Sequence, residues 1–197
     1  ASPDGTRIAD AKLLSSLELF DFNPVTGLVS NKKTIMTYPT LFNYGVEFSP
    51  DSKNLYTTCS KDNFPYNSEF SNYIFQFSKL DSAVPVIQST LPRLDSAISF
   101  SYSVFSALQL APDGKIYVSI INSTILSVIN NPNQAGTACQ YSRSGPQLMT
   151  GSYSRYGLPD FNQSYVKGSF RYDTACFSNQ VKFYYSRAND VQSVKWD

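Results

Sequence analysis

The stretch Gln109-Leu110-Ala111-Pro112-Asp113-Gly114-Lys115-Ile116-Tyr117-Val118-Ser119-Ile120, QLAPDGKIYVSI, decides the fold because the chain writes nearly the same words three times. ASPDGTRIA occupies residues 1–9 and EFSPDSKNLYTT residues 47–58. Proline pre-sets φ for the second position of a turn, aspartate bonds back to nearby backbone, and glycine tolerates positive φ. After the turn, Ile116, Val118 and Ile120 fall on one face and Tyr117 and Ser119 on the other. That period of two is a half-buried strand. Each copy therefore reads as strand, tight turn, strand. Asp4, Asp51 and Asp113 recur at one place in every unit, which assigns them to the turn rather than to an active site.

Working outward, a second alternating strand follows each turn, over 17–22, 73–77 and 125–129, and each is followed by polar or Pro/Gly-containing turn sequence. The prolines of successive turns, Pro3, Pro50 and Pro112, stand 47 and 62 residues apart. Tyr156-Gly157-Leu158-Pro159-Asp160-Phe161 echoes Tyr44-Gly45-Val46-Glu47-Phe48 and predicts the start of a fourth unit. A unit of four short strands in about 45–60 residues suits a β-propeller blade, which needs neighbours to bury its sheet faces. The expected fold is all-β: three to four visible blades of an incomplete propeller over 1–172, with a boundary near Tyr172. The sequence opens on the turn itself, so an internal piece of a longer protein is expected.

Composition agrees. The 197 residues include 14 Tyr and 14 Phe, and 16 Lys+Arg stand against 15 Asp+Glu. Aromatic and hydroxyl-rich sequence without long Ala/Glu/Lys/Leu runs favours strands. The balanced charge gives no sign of nucleic acid as a partner. No apolar run approaches the roughly 18 residues of a membrane-spanning helix.

Catalytic chemistry finds little support in the residues. The chain has no histidine, which removes the usual Ser-His-Asp and Cys-His arrangements. Glu18, Glu47 and Glu69 are the only glutamates; Glu18 and Glu47 sit in alternating strands and read as solvated strand faces. Asp62 and Glu69 flank the loop 60–70 without an EF-hand order and read as ordinary polar loop. No metal, no cofactor and no enzymatic activity are expected. Phe64, Tyr66 and Phe70 in that loop, with Tyr73 just after it, are candidate ligand-stacking aromatics, as are Tyr153 and Tyr156. Of the three cysteines, Cys139 and Cys176 lie in loop-like surroundings and form the candidate disulfide. Cys59 follows a strand and reads as a small buried residue.

SPDGTRIA, FSPDSKNLY and APDGKIYV resemble repeats of periplasmic Tol-associated and WD-like propellers. The longer order YGVEFSPDSKNLYTT, YIFQFSKLDS, ALQLAPDGKIYVSI, SVINNPNQAGTACQY and YGLPDFNQSYV resembles the propeller region of large Bacteroidota surface proteins. Those proteins are exported by the type IX secretion system and carry a type B, gliding-motility-associated C-terminal sorting domain. The ending VKFYYSRANDVQSVKWD resembles the opening of a PKD-type immunoglobulin-like module, expected over 173–197. The resemblance implies a non-enzymatic adhesin or scaffold module at the outer cell surface. Its partners would be translocon components during export, and surface glycans or other surface proteins afterwards. It also implies O-glycosylation at Asp-Ser/Thr followed by a small residue, which Ser82, Ser96 and Thr174 satisfy. Two alternatives stand beside it: a carbohydrate-binding or carbohydrate-cleaving propeller, and a periplasmic Tol-associated-like accessory propeller.

Overall fold

A computed structural model describes residues 1–13, 15–37, 41–62, 70–82, 86–91, 105–158, 170–172 and 183–185. The molecule is all-β, with antiparallel meanders laid down one after another and a single 3₁₀ turn, Gly136–Cys139, among the described residues. The first sheet has three strands, β1 (Arg7–Ala11), β2 (Ser16–Phe22) and β3 (Val29–Thr37). The second has four, β4 (Leu41–Phe48), β5 (Leu55–Asp62), β6 (Phe70–Ser78) and β7 (Val86–Leu91). The third also has four, β8 (Phe105–Leu110), β9 (Ile116–Ile120), β10 (Ser127–Ile129) and β11 (Tyr141–Ser142). A two-stranded pair, β12 (Phe170–Tyr172) with β13 (Phe183–Tyr185), comes last and spans the position expected for the domain boundary near Tyr172. Most of 173–197 lies outside the described residues.

All three copies of the turn are closed by a backbone bond, which reaches five residues on in the first two copies and four in the third. The backbone N–H of Ser2, Ser49 and Ala111 donates to the carbonyl of Arg7, Asn54 and Lys115. In each copy the aspartate Oδ1 accepts the N–H two residues on: Thr6 at 3.0 Å, Lys53 at 3.2 Å and Lys115 at 3.1 Å. Gly5 and Gly114 take the left-handed position at φ 73° and 78°. The second copy has Ser52 there, at φ 62°. A side chain in that region costs about 1–2 kcal/mol. Ser52 uses it, because its buried hydroxyl accepts the N–H of Asp4 from the first turn at 3.1 Å.

No sheet buries both faces alone, so neighbours share two cores. One joins Leu17 and Leu19 of β2 and Met36 of β3 to Phe48, Leu55, Cys59, Phe75, Phe77 and Leu80 of the second sheet and its loop. The other joins Tyr56 and Ile74 to Leu108, Leu110, Ile116, Val118, Ile120, Ile129 and Cys139. Each large side chain buried this way contributes roughly 2 kcal/mol. Loops complete the seams. Arg7 pairs with Asp81, and the Lys33 ammonium donates to the carbonyls of Leu80 and Ser82 at 2.9 and 2.6 Å. At the next seam Tyr56 and Asn54 donate to the Pro132 carbonyl at 2.7 and 3.1 Å, and Gln76 donates to Gln134 O and accepts from Gly136 N.

The strands before the second and third turns, β4 and β8, pack against each other. Both carry a bulge, between Asn43 and Val46 and between Phe105 and Leu108. Thr58 fills the gap: its hydroxyl accepts Gly45 N–H at 2.8 Å and donates to Ser106 O at 2.6 Å. A Cβ on Gly45 would stand 2.4 Å from that same Ser106 carbonyl, so only glycine fits. Glu47 is half-buried and bridges the same two strands, accepting Phe48 N–H at 3.0 Å and Leu110 N–H at 2.9 Å. Glu18 is buried against Lys12, Lys32 and Ser16. Both therefore depart from the solvated strand faces expected of alternating sequence: carboxylates find cationic or N–H partners across strand and sheet contacts that alternation does not encode.

Elsewhere the strands after the turns appear where alternation puts them, with β9 at 116–120 as expected. The strand expected at 125–129 is shorter. Ser123 Oγ accepts Ile125 N–H and donates to Ile125 O, competing with the ladder until Ser127. Replacing Thr58 with valine keeps shape but strands Gly45 N–H and Ser106 O. Such buried unsatisfied groups cost about 1–3 kcal/mol each. Urea denaturation should show Thr58→Val losing about 2 kcal/mol or more, and Gly45→Ala destabilised likewise; unchanged midpoints would show that the β4–β8 contact does not hold the sheets.

Candidate functional site

The two bulges also build an exposed aromatic pair. The β4 bulge takes Tyr44 out of the regular ladder and leaves it 48% exposed. At the β8 bulge, Ala107 N–H donates instead to Tyr156 O at 3.1 Å. This holds the segment 154–156 beside β8 and brings the Tyr156 ring to 5.8 Å from that of Tyr44, tilted by 44°. Tyr156 is 57% exposed. The strap is pinned further: Ser154 donates its hydroxyl to Ile120 O, Asn122 N–H donates to Ser154 O at 2.9 Å, and the Arg155 guanidinium donates to Asn122 Oδ1 at 2.6 Å. The result is two anchored phenol rings side by side, each about half exposed. Such surfaces stack on sugar or aromatic rings.

Tyr153 and Tyr156 were both expected as stacking residues, and both are exposed. Tyr44 carried no such expectation; its sequence signal was the Tyr-Gly shared with 156–157, which read as a repeat. Phe64 and Tyr66 lie outside the described residues, whereas Tyr73 is half-buried against the core and stacks on Phe75 at 5.8 Å. Phe70 opens β6 with its backbone opposite Asp62, and its side chain is outside the description. Ser82 is half-buried; its hydroxyl donates to Lys79 O at 2.7 Å. Ser96 and Thr174 lie outside the described residues. Cys139 is buried with a free thiol, and its expected partner Cys176 lies outside them. Among the described residues no group of three or more His, Cys, Asp or Glu gathers to hold a metal.

A polar cleft of about 250 Å³ lies between the first sheet and the β6–β7 loop, lined by Arg7, Leu19, Asp21, Asn31, Lys33, Leu80 and Asp81. Its polar groups are already paired: Arg7 with Asp81 and Lys33 with two carbonyls across the seam, and Asn31 with Asp21 at 2.8 Å within the first sheet. It joins sheets and leaves little to offer a ligand.

No protein-family model and no curated protein matches the chain. Among solved structures, hydrazine synthase of Kuenenia stuttgartiensis is similar over 64% of this chain and 37% of that one, with 16% identity and a TM-score of 0.45. The chain thus spans a little over a third of that protein, and a likeness of this degree carries no argument about function.

Two titrations can be read from the structure. Hydrogen bonds from Lys12 and then Lys32 hold the Glu18 carboxyl at about 2, below its ordinary 4.5. A depressed carboxyl contributes stability that is complete above its unfolded pKa and is lost as pH falls through the folded one. Stability should therefore decline between about pH 5 and pH 2, and the Glu18→Gln variant should show a shallower decline; parallel acid curves for the two would exclude the buried pair as its source. Burial pushes the Cys59 thiol up to about 12. Thiolate is the reactive form. Iodoacetamide at pH 8 should leave Cys59 unlabelled in the native protein and label it in urea, and rapid native labelling would contradict its burial.

Proposed function

We propose that this chain is a non-catalytic β-propeller portion of a large exported cell-surface protein of adhesin or scaffold type, a cargo of the type IX secretion system. The observation that supports it most is the serial arrangement of meander sheets. Each repeats one Pro-Asp turn, and neighbours meet through the first strands and through loop-to-turn seams. A set of sheets that complete one another's cores is a display platform, with variable connections on which binding groups sit. The sequence resemblance supplies the export route, the surface location and the PKD module expected over 173–197.

Mass spectrometry of the parent protein recovered from culture medium and cell surface tests this reading. A large product with PKD modules, a type B sorting domain and a glycan on Ser82 is the expected result. A product of propeller size retained in the periplasm, without glycan, would overturn it. The Tyr44–Tyr156 pair favours a second reading, a carbohydrate-binding propeller. For that reading, Tyr44→Ala and Tyr156→Ala should each weaken retention on a polysaccharide array at least tenfold while leaving the fold intact.

A further inference from the structure

The strap that carries Tyr156 also carries a charged side chain. Arg155 lies between Ser154, which is buried, and Tyr156, whose ring meets that of Tyr44. Its Nη1 donates to Asn122 Oδ1 at 2.6 Å, and Asn122 N–H donates back to Ser154 O at 2.9 Å. Asn122 sits at φ 62° as it makes these bonds. Glycine fills that region at least cost, but only a side chain supplies the oxygen that fixes the guanidinium. Arg155 is therefore held at its tip as well as along its backbone.

Its fixed charge has no counter-charge. Arg7 meets Asp81, whereas Arg155 meets a neutral amide, and no ion pair reaches it among the described residues. The sequence gives the reason: from Gly114 to Pro159 there is no aspartate or glutamate, while Lys115, Arg143 and Arg155 are basic. A guanidinium carries five N–H donors in a planar fork. With Nη1 on Asn122, the Nε–Nη2 edge remains for an outside acceptor, and such an edge matches a carboxylate bidentately.

We propose that Tyr44, Tyr156 and Arg155 form one subsite for an acidic sugar, a uronic acid residue of a polysaccharide. The sugar ring lies against the tyrosines and its carboxylate on the guanidinium. The inference rests on the carbohydrate-binding reading of the tyrosine pair and adds the ligand's charge to it. Tyrosine offers an apolar body for the C–H face of a sugar and a hydroxyl for its polar edge. A carboxylate on that ring puts one negative charge beside the stack, and one arginine answers it. A nucleic-acid strand repeats its charge at every nucleotide and needs a basic groove along its backbone. The strap has a single arginine and no lysine over 146–158, which favours the sugar.

The test measures binding of the 197-residue chain to immobilised polygalacturonate, to its fully methyl-esterified form and to single-stranded DNA, at low salt. Esterification keeps the sugar ring and removes its charge. The chain should bind polygalacturonate about tenfold more tightly than the ester. Arg155→Gln should abolish that preference and leave binding of the ester unchanged. Arg155→Lys, which keeps the charge and loses the fork, should fall between. Asn122→Gly, which suits the backbone and removes only the anchoring oxygen, should also reduce the preference, an effect that charge alone would not give. The comparison of polymers uses the unaltered chain and so stands even if a variant fails to fold. Equal binding of the two polymers, or a preference that survives Arg155→Gln, would overturn the acidic sugar and leave the carbohydrate reading in place. Binding of neither polymer would overturn both, and tighter binding of DNA would put a nucleic acid in the sugar's place.

Discussion

A single hydroxyl between two sheets constrains much of this molecule. Thr58 accepts from the β4 bulge and donates to the β8 bulge, within a contact so close that Gly45 has no room for a Cβ. Backbone can approach backbone this nearly only if the polar groups freed by both bulges find partners. Glu47 does the same service one step along, closing two N–H groups of the same pair of strands. With β4 and β8 fixed, the apolar residues of β5, β6 and β9 meet in one core, and Phe48 and Leu55 reach across to β2 in the other.

The two seams between sheets share a plan and differ in chemistry. In both, the turn and the strands after it rest on the loop between the third and fourth strands of the next repeat. The first seam uses Arg7 and Lys33 against Asp81 and backbone carbonyls, at a half-open cleft. The second uses buried neutral donors, Tyr56, Gln76 and Asn54, against the backbone of residues 132–136. Charge pairs near solvent are screened by salt, whereas a buried neutral network is costly to break because each group would be left unpaired. Of the contacts at the two seams, the Arg7–Asp81 pair is therefore the one that salt screens most.

The candidate site owes its existence to irregularity rather than to the repeat. A regular ladder would have used the N–H of Ala107, and Tyr44 would have followed the strand. Bulges re-aim side chains and release backbone groups, and here two of them, on adjacent strands, set Tyr44 and Tyr156 side by side across 112 residues of sequence.

The sequence by itself determined the elements that rest on local physics. Pro-Asp followed by a left-handed residue fixes the turns because its φ preferences and its side-chain bond act within five residues, and two-residue alternation marks β9 and most of β5 and β6, although the structure buries these strands on both faces and not on one as alternation predicts. All-β class, the repeat and the turn role of Asp4, Asp51 and Asp113 followed from these. Only the tertiary structure decided the fate of Glu18 and Glu47, the need for glycine at 45, and the meeting of Tyr44 with Tyr156. Those outcomes depend on which groups face one another between sheets. Distance along the chain does not encode that facing, which is set by how sheets pack once their ladders have formed.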